Sequence, residues 1–318
     1  VYKRQGRKKA EEYFFRAIKD MLEADIQSED SDSLRNSSEK FGLKSLDYDS
    51  SLAISHHVLA VLAMTIGDID KAEVKFKDAL YFAPNWIIPN ANLIKINILK
   101  ENFQDASDLI ASIDGQALKL PWFWTEIGDA YMLVDSIDKS MEMYEKALDL
   151  DPDYLHANHN LGVLHQHFLD NEAIAEFYFN RALRIEPGSY WPSVNLSMLY
   201  VEQGSFKRAE QILRTAIDSN DYNFELYTFL GDVYLSQEQY DDAFDQYMIA
   251  LDKNFRYVQV HVSLAKFYAI QGQVEKSLDQ LEIACSLGYQ DFDYIEGDMK
   301  FSDITDSRKY RKLKKKYN

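Results

Sequence analysis

The chain has 318 residues, of which 46% are hydrophobic and 27% charged, and its 12 glycines and 6 prolines are few, as is typical of a folded helical protein. Its formal net charge is −17. Residues 1–9 hold five basic groups and residues 308–316 hold seven, and neither stretch contains an acidic residue. The body of the chain therefore carries all 52 acidic residues but only 23 of the 35 basic ones. Such a body repels phosphate backbones, so we predict no nucleic-acid partner and expect a protein or peptide partner that is basic.

The first predicted element covers residues 1–27. Ala10, Phe14 and Ala17 follow one another at helical spacing, in the small–large–small order of a helix that packs closely on a neighbour. We assign this stretch to the second helix of a partial repeat. Because the chain begins at Val1, in the middle of this helical pattern, we expect it to be an N-terminally truncated fragment.

Residues 28–52 are rich in Ser, Asp and Glu. A segment of this composition buries little apolar surface, which disfavours a packed helix. We predict a flexible insertion here.

A pattern centred on alanine then recurs every 34 residues as far as residue 291. Self-similarity at this period is typical of stacked helix–turn–helix units. We place seven units at 53–86, 87–120, 121–154, 155–189, 190–223, 224–257 and 258–291. The unit at 155–189 needs one extra residue in its turn, near Asp170–Glu172.

The clearest copy of the pattern is in the unit at 121–154. Its characteristic residues are Trp124, Ile127, Gly128, Tyr131, Ser140, Tyr144, Ala147 and Pro152. This copy resembles the tetratricopeptide repeat (TPR) almost position for position. The resemblance implies an all-α fold, a right-handed α-solenoid superhelix in which the first helix of each unit lines a concave face.

Residues 292–318 follow the last unit. They carry apolar side chains at Ile295, Phe301, Ile304, Tyr310 and Leu313, and the segment resembles the closing segment of many bacterial TPR proteins. We expect it to cover the last exposed apolar face, because terminal repeats need a cap. We interpret its basic tail as a solvated helix end.

Three asparagines occupy the same position in three units, the sixth. Asn92, Asn160 and Asn195 resemble part of the asparagine ladder in the TPR superhelix of O-GlcNAc transferase. The resemblance implies side-chain amides that bond the backbone of an extended peptide. The alternative is that they bond only neighbouring helices or water.

Five further side chains occupy repeat positions that face a ligand in the TPR family, and we add them to the candidate groove. They are Trp122, Trp191, His159, Asp129 and Asp232. An exposed indole is a suitable anchor for a partner. Packing of Trp122 and Trp191 against an adjacent loop is the alternative.

Nothing in the sequence indicates catalysis. His156 and His159 have the one-turn spacing of a helical metal pair, but both also suit a groove lining, and we predict no metal site. The chain lacks a glycine-rich phosphate loop, a G-x-S-x-G turn and an H-E-x-x-H motif, and Cys285 is its only cysteine. We therefore predict no catalytic residue and no cofactor.

Together these features predict a non-catalytic interaction scaffold or adaptor that binds an extended peptide or a partner helix. The alternative is the regulatory or substrate-docking region of a longer enzyme, such as a glycosyltransferase. No apolar run reaches the roughly 20 residues that span a bilayer, so we predict no integral membrane segment. The sequence leaves the oligomeric state open, and favours a cytoplasmic location without excluding the periplasm.

Overall fold

A computed structural model describes residues 2–26, 31–113, 115 and 117–317. This described part of the chain is helical and contains no β-strand. It divides into two compact parts, residues 1–157 and residues 158–318.

The first part contains one long helical hairpin followed by three shorter helix pairs. Its helices are α1 (Tyr2–Ile26), α2 (Ser31–Tyr48), α3 (Ala53–Thr65), α4 (Ile69–Phe82), α5 (Ile87–Leu99), α6 (Phe103–Ser112), α7 (Pro121–Leu133) and α8 (Ile137–Leu150). Proline begins α7, where a missing backbone N–H costs nothing. Helix α6 is short because its chain becomes extended at Ile113.

The stretch 28–52, which we predicted to be a flexible insertion, contains helix α2. The first three of its residues lie outside the described part of the chain, but for residues 31–48 the prediction was wrong. Helix α2 packs along α1, and its buried stripe consists of Ser38, Gly42 and Ser45.

The reason is that small polar side chains bring two helices close together. The Ser38 hydroxyl donates to the Ala17 carbonyl oxygen at 2.7 Å, and the Ser45 hydroxyl donates to the Ala10 carbonyl oxygen at 2.8 Å. Both serines are buried without an unpaired polar group. Composition alone counts serine as a residue that avoids the interior, so it missed this interface.

Helix α1 also differs from its predicted role as the second helix of a partial repeat. Its partner, α2, follows it in the chain, so α1 is the first helix of a complete hairpin. Ala10, Phe14 and Ala17 are buried nonetheless. Their small–large–small spacing suits either side of a helix–helix interface, and therefore does not decide the order of the two helices.

The second part contains four helix pairs and a closing segment; the boundary between the two parts falls within its first helix. The paired helices are α9 (Leu155–His167), α10 (Glu172–Ile185), α11 (Tyr190–Glu202), α12 (Phe206–Ser219), α13 (Phe224–Ser236), α14 (Tyr240–Lys253), α15 (Val258–Ile270) and α16 (Val274–Ser286). The closing segment contains α17 (Phe292–Gly297), α18 (Ser302–Thr305) and α19 (Arg308–Tyr317).

Each turn inside a pair contains one residue with a left-handed backbone, at the same place in the repeat. Glycine takes this place at Gly67, Gly204 and Gly272, whereas the other turns use an acidic residue, as at Glu238 with a φ of 60°. The turn between α9 and α10 has one residue more than the others, and its left-handed residue is Asp170.

Glycine in the first helix of a pair admits a ring from the second. A Cβ atom added to Gly128 or Gly231 would lie 2.5 Å from the ring of Tyr144 or Tyr247, respectively. Real Cβ atoms do not approach so closely, so these glycines allow the ring to pack flat on the helix backbone. Both tyrosine rings are fully buried.

In the second part, the same polar contact joins α10 to α11 and α12 to α13. The Tyr200 hydroxyl donates to Glu176 at 2.9 Å, and the Tyr234 hydroxyl donates to Glu210 at 2.7 Å. In each case an arginine pairs with the same carboxylate. The tyrosine is in the first helix of one pair and the glutamate is in the second helix of the pair before it, so the contact fixes the stacking of neighbours.

The closing segment packs on α15 and α16. The apolar residues that we expected to form the cap lie in one buried cluster with Leu278 and Leu281 of α16. Lys309 of α19 reaches Glu275 at 2.9 Å and Asp279 at 3.0 Å. Apolar burial and complementary charge thus hold the basic α19 against the acidic α16.

Candidate functional site

His159 bridges two of the predicted ladder asparagines in the second part. Its Nδ1 atom lies 2.9 Å from Oδ1 of Asn160, and its Nε2 atom lies 3.0 Å from Nδ2 of Asn195. Since the Asn160 oxygen only accepts, the Nδ1–H donates and Nε2 accepts from Asn195. The structure therefore unites three predicted groove residues in one chain of hydrogen bonds, which sets the orientation of both amides.

Helix α11 extends this network along one face. Trp191, Asn195, Met198 and Glu202 are spaced by three or four residues, so they form a single stripe on the helix. The Trp191 side chain is 61% exposed and the Met198 side chain 46% exposed. An indole and a thioether with this exposure leave a substantial apolar area open to solvent.

The predicted groove residues of the first part are placed differently. Asn92 donates from Nδ2 to the Ile88 carbonyl oxygen of its own helix at 3.1 Å. Trp122 is half-buried, with its ring edge-on to Phe123. Asp129 accepts a hydrogen bond of 2.6 Å from the Tyr144 hydroxyl.

The two candidate metal ligands have other neighbours. His156 is exposed beside Tyr154, with ring centroids 5.7 Å apart, and His159 is engaged by the two asparagines. Across the described residues, no group of three or more His, Cys, Asp or Glu side chains is arranged to hold a metal ion. Cys285 is buried, and desolvation raises the pKa of its thiol.

A cleft of about 420 Å³, here called the C-terminal cleft, lies in the second part. Its walls come from α11, α13, α15 and the start of the closing segment. Met198, Val201 and Glu202 of α11, Phe229, Asp232 and Ser236 of α13, and Gln259 of α15 line it. All of these occupy position 2, 6, 9, 12 or 13 of their units, which are positions that tend to face the ligand in the TPR family, but we had singled out only Asp232.

The remaining wall comes from Tyr289, Asp291 and Tyr294. These residues lie beyond or at the end of the last repeat, so the repeat register says nothing about their orientation. Asp291 accepts a hydrogen bond from the Tyr294 backbone N–H at 2.9 Å and so caps α17. This cap places the Tyr294 ring, 42% exposed, at the cleft.

Asp232 is the predicted groove residue with the most perturbed carboxyl group. Desolvation raises its pKa to about 6, although hydrogen bonds from Tyr247 and Ser263 and the charge of Lys266 act in the opposite direction. The Tyr247 hydroxyl donates to Oδ1 at 2.8 Å, and the Ser263 hydroxyl donates to Oδ2 at 3.3 Å. Both carboxylate oxygens are therefore held in place, with lone pairs left to accept from a ligand.

A lysine beside the C-terminal cleft is already paired. Lys266 lines an adjacent, smaller cavity and lies 2.7 Å from the carboxylate of Asp298. Lys300 lines the same adjacent cavity. The described residues that line the C-terminal cleft itself include three carboxylates and no basic side chain.

Comparison with known proteins agrees with this architecture. Two family models, each described as a tetratricopeptide repeat, match residues 123–154 and 194–255. No curated protein matches the chain in sequence. No helix in the described ranges is long and apolar enough to cross a membrane.

Among solved structures, a tetratricopeptide repeat protein from Parabacteroides merdae ATCC 43184 is similar, with 19% identity and a TM-score of 0.56 over 81% of this chain and 100% of that chain. YrrB, described as a TPR protein with an unusual peptide-binding site, has 19% identity and a TM-score of 0.42 over 56% of this chain and 92% of its own. MamA from Desulfovibrio magneticus RS-1 has 14% identity and a TM-score of 0.44, over 52% of this chain and 94% of its own.

The repeated helix pairs, the glycine–ring contacts between their helices and the two family-model matches confirm the fold and the resemblance that the sequence indicated. The chain belongs to the tetratricopeptide repeat proteins, whose all-helical solenoid fold is that of protein-interaction scaffolds.

Proposed function

We propose that residues 158–318 bind an extended, basic segment of a partner protein along the stripe of α11 and into the C-terminal cleft. The observation that carries this proposal is the cleft itself: groove-register side chains of three successive first helices converge on one open, apolar cavity of about 420 Å³ with carboxylates among its lining. Clefts of this size with few convergent polar groups are typical binding sites.

We assign recognition of the peptide backbone to Asn160 and Asn195. Because His159 orients the amides of both Asn160 and Asn195, neither has to be ordered when a ligand binds. Asn195 lies one helical turn before Met198, so a peptide bonded to its amide continues directly into the cleft. An amide contact to peptide backbone contributes affinity with little demand on sequence.

Side-chain recognition is assigned to the two ends of this surface. Trp191 presents an exposed indole at one end, and aromatic anchors of this kind dominate many interfaces. The C-terminal cleft presents Met198, Val201 and Phe229 at the other end. We extend the same groove role to Asn92, Trp122 and Asp129 of the first part.

A display selection tests the proposal. A library of short random peptides is selected on the purified chain, and the enriched peptides are measured by fluorescence anisotropy on Met198→Lys and Met248→Lys. The two methionines are matched, since their side chains are 46% and 45% exposed, but Met248 lies on α14 and does not line the cleft.

We expect Met198→Lys to weaken binding by at least about tenfold, because it removes apolar contact and adds a like charge to the site of a basic ligand. Met248→Lys should bind as the parent chain does. Failure to enrich any peptide, or equal binding to both variants, would refute the proposed function.

A further inference from the structure

The closing segment contributes to the C-terminal cleft as well as covering the last repeat. Its Tyr294 forms one wall together with Tyr289 and Asp291, which come just before the segment, and residues of α11 and α13 line the rest. To cover the last repeat, the segment needs only its buried face, which includes Phe292 and Ile295. At the cleft, Asp291 and Tyr294 are exposed, whereas Tyr289 is partly buried against the same cluster.

This wall is acidic, as are the groove residues beside it. Glu202 of α11, Asp232 of α13 and Asp291, which caps α17, all line the cleft, with no basic residue among its described lining. Glu202 and Asp291 are exposed and Asp232 is partly exposed. A cation in the cleft therefore meets carboxylates from three separate elements. Lys266, in the adjacent cavity, is the basic side chain that already acts on Asp232 and lies 5.9 Å from the centre of the Tyr294 ring.

The rest of the lining is apolar or aromatic. Phe229, Tyr289 and Tyr294 supply rings, and Met198 and Val201 supply aliphatic surface. Aromatic faces attract a cation through the ring quadrupole, and the stem of a long basic side chain packs on aliphatic surface. An apolar side chain next to the basic one on the ligand can pack on the same apolar lining.

We infer that the C-terminal cleft receives one basic side chain of the bound segment, arginine or lysine, together with an adjacent apolar side chain, and that Asp291, which caps α17, and Tyr294 of the closing segment supply one wall of this pocket. The inference rests on the proposed function and specifies the chemistry of the ligand at the end of the binding surface that lies in the C-terminal cleft. Asp232 is the countercharge at the base of the pocket.

The state of Asp232 agrees with this role. Tyr247 and Ser263 hold its two oxygens, so the carboxylate does not need to rotate to meet a guanidinium or ammonium group. Burial raises its pKa to about 6, and a cation bound beside it favours the charged form and lowers that pKa. Binding near neutral pH should consequently be accompanied by little proton release and should weaken as the pH falls below about 6.

The test uses the peptides enriched on the full chain. Each basic position is replaced in turn by citrulline, which keeps the shape of arginine without its charge, and affinities are measured by anisotropy. The same peptides are measured on Glu202→Gln, Asp232→Asn, Asp291→Asn and Tyr294→Ala. Asp245→Asn, on the exposed face of α14, is the matched control.

We expect one basic position whose replacement by citrulline weakens binding by at least about tenfold. Asp232→Asn and Asp291→Asn should reduce affinity similarly, and the citrulline peptide should be insensitive to both. Asp245→Asn should have no effect. Asparagine retains the cap of α17 and the acceptor for Tyr247, and thermal melts of each variant establish that the fold is intact.

Four outcomes contradict the inference. If citrulline peptides bind as well as arginine peptides, the pocket does not select a cation, although peptide binding by the groove stands. If enriched peptides carry no basic residue, the basic ligand of the proposed function is contradicted as well. If affinity depends on Asp232 but not on Asp291 or Tyr294, the closing segment is a cap only. If no peptide is enriched, both the proposed function and this inference are overturned.

Discussion

The Tyr247 hydroxyl donates to Asp232 at 2.8 Å, and the Tyr144 hydroxyl makes the same contact with Asp129 at 2.6 Å in an earlier repeat. In both repeats the tyrosine comes from the second helix and the aspartate from the groove face of the first. The ring that packs on the glycine backbone thus also positions a groove carboxylate. Core packing and the proposed binding surface are coupled through these tyrosine–aspartate contacts.

The first prediction concerns the charge of Asp232. Its pKa in the folded chain, about 6, lies above the ordinary value of 3.8, so the folded state binds the proton more tightly than the unfolded state. The contribution of Asp232 to the free energy of unfolding should therefore fall as the pH rises from about 4 to about 6. Asp232→Asn, which carries no charge to desolvate, should be more stable than the parent chain at about pH 8, by on the order of 1–2 kcal/mol.

Urea unfolding followed by circular dichroism at about pH 4 and about pH 8 measures this difference. The advantage of Asp232→Asn should disappear at the lower pH, where Asp232 is protonated. Asp245→Asn on the exposed face of α14 serves as the control and should show no such pH dependence. An Asp232→Asn variant that is less stable at both pH values would contradict the argument.

The second prediction concerns the contact between Gly231 and Tyr247. Gly231→Ala places a Cβ atom 2.5 Å from the ring, and we expect the free energy of unfolding to fall by about 1–3 kcal/mol. Combining it with Tyr247→Leu should recover part of this loss, because leucine faces alanine at the equivalent positions Leu281 and Ala265. Gly297→Ala, where no atom lies within 4 Å of the new Cβ, should be neutral in the same melts.

The third prediction concerns the turns inside the repeats. Glu238 has a φ of 60°, a conformation that costs an L-residue about 1–2 kcal/mol, whereas glycine adopts it freely. After the greater chain entropy of glycine is subtracted, Glu238→Gly should stabilise the chain by about 0.5–1 kcal/mol. The reverse change at an equivalent turn, Gly272→Ala, should destabilise it, and chemical denaturation should show opposite shifts for the pair.

The fourth prediction concerns the hairpin of α1 and α2. Ser38 is fully buried against α1, so Ser38→Leu overpacks the interface and should cost about 1–3 kcal/mol. Asn36→Leu makes a similar change on the exposed side of α2 and should have little effect. Hydrogen exchange provides the readout: the backbone amides of α2 should be protected in the parent chain and lose that protection in Ser38→Leu alone.

Much of the repeat architecture could be predicted because it depends on local residue size. Alanine or glycine at the helix contacts and a ring such as Tyr144 opposite Gly128 specify which side of each helix faces its partner. The same periodicity assigned Asp232 to the groove. A spacing rule works here because each repeat mainly contacts its neighbours in the chain.

Three features were not predicted from the spacing of the repeats. Helix α2 was missed because its interface consists of serines whose burial depends on carbonyl groups of α1. The bridge from His159 to Asn195 was missed because it joins side chains of two different repeats. Tyr294 was missed because it lies outside the repeat, where no register applies.

The amino-acid sequence was sufficient for the family, the helix pairs and the excess of acidic charge, since these depend on residue type at short spacing. The C-terminal cleft required the tertiary structure. Glu202, Asp232 and Asp291 are far apart in the chain and line one cleft only after the closing segment packs on α15 and α16. Their proximity depends on long-range packing of apolar surface, which no local pattern encodes.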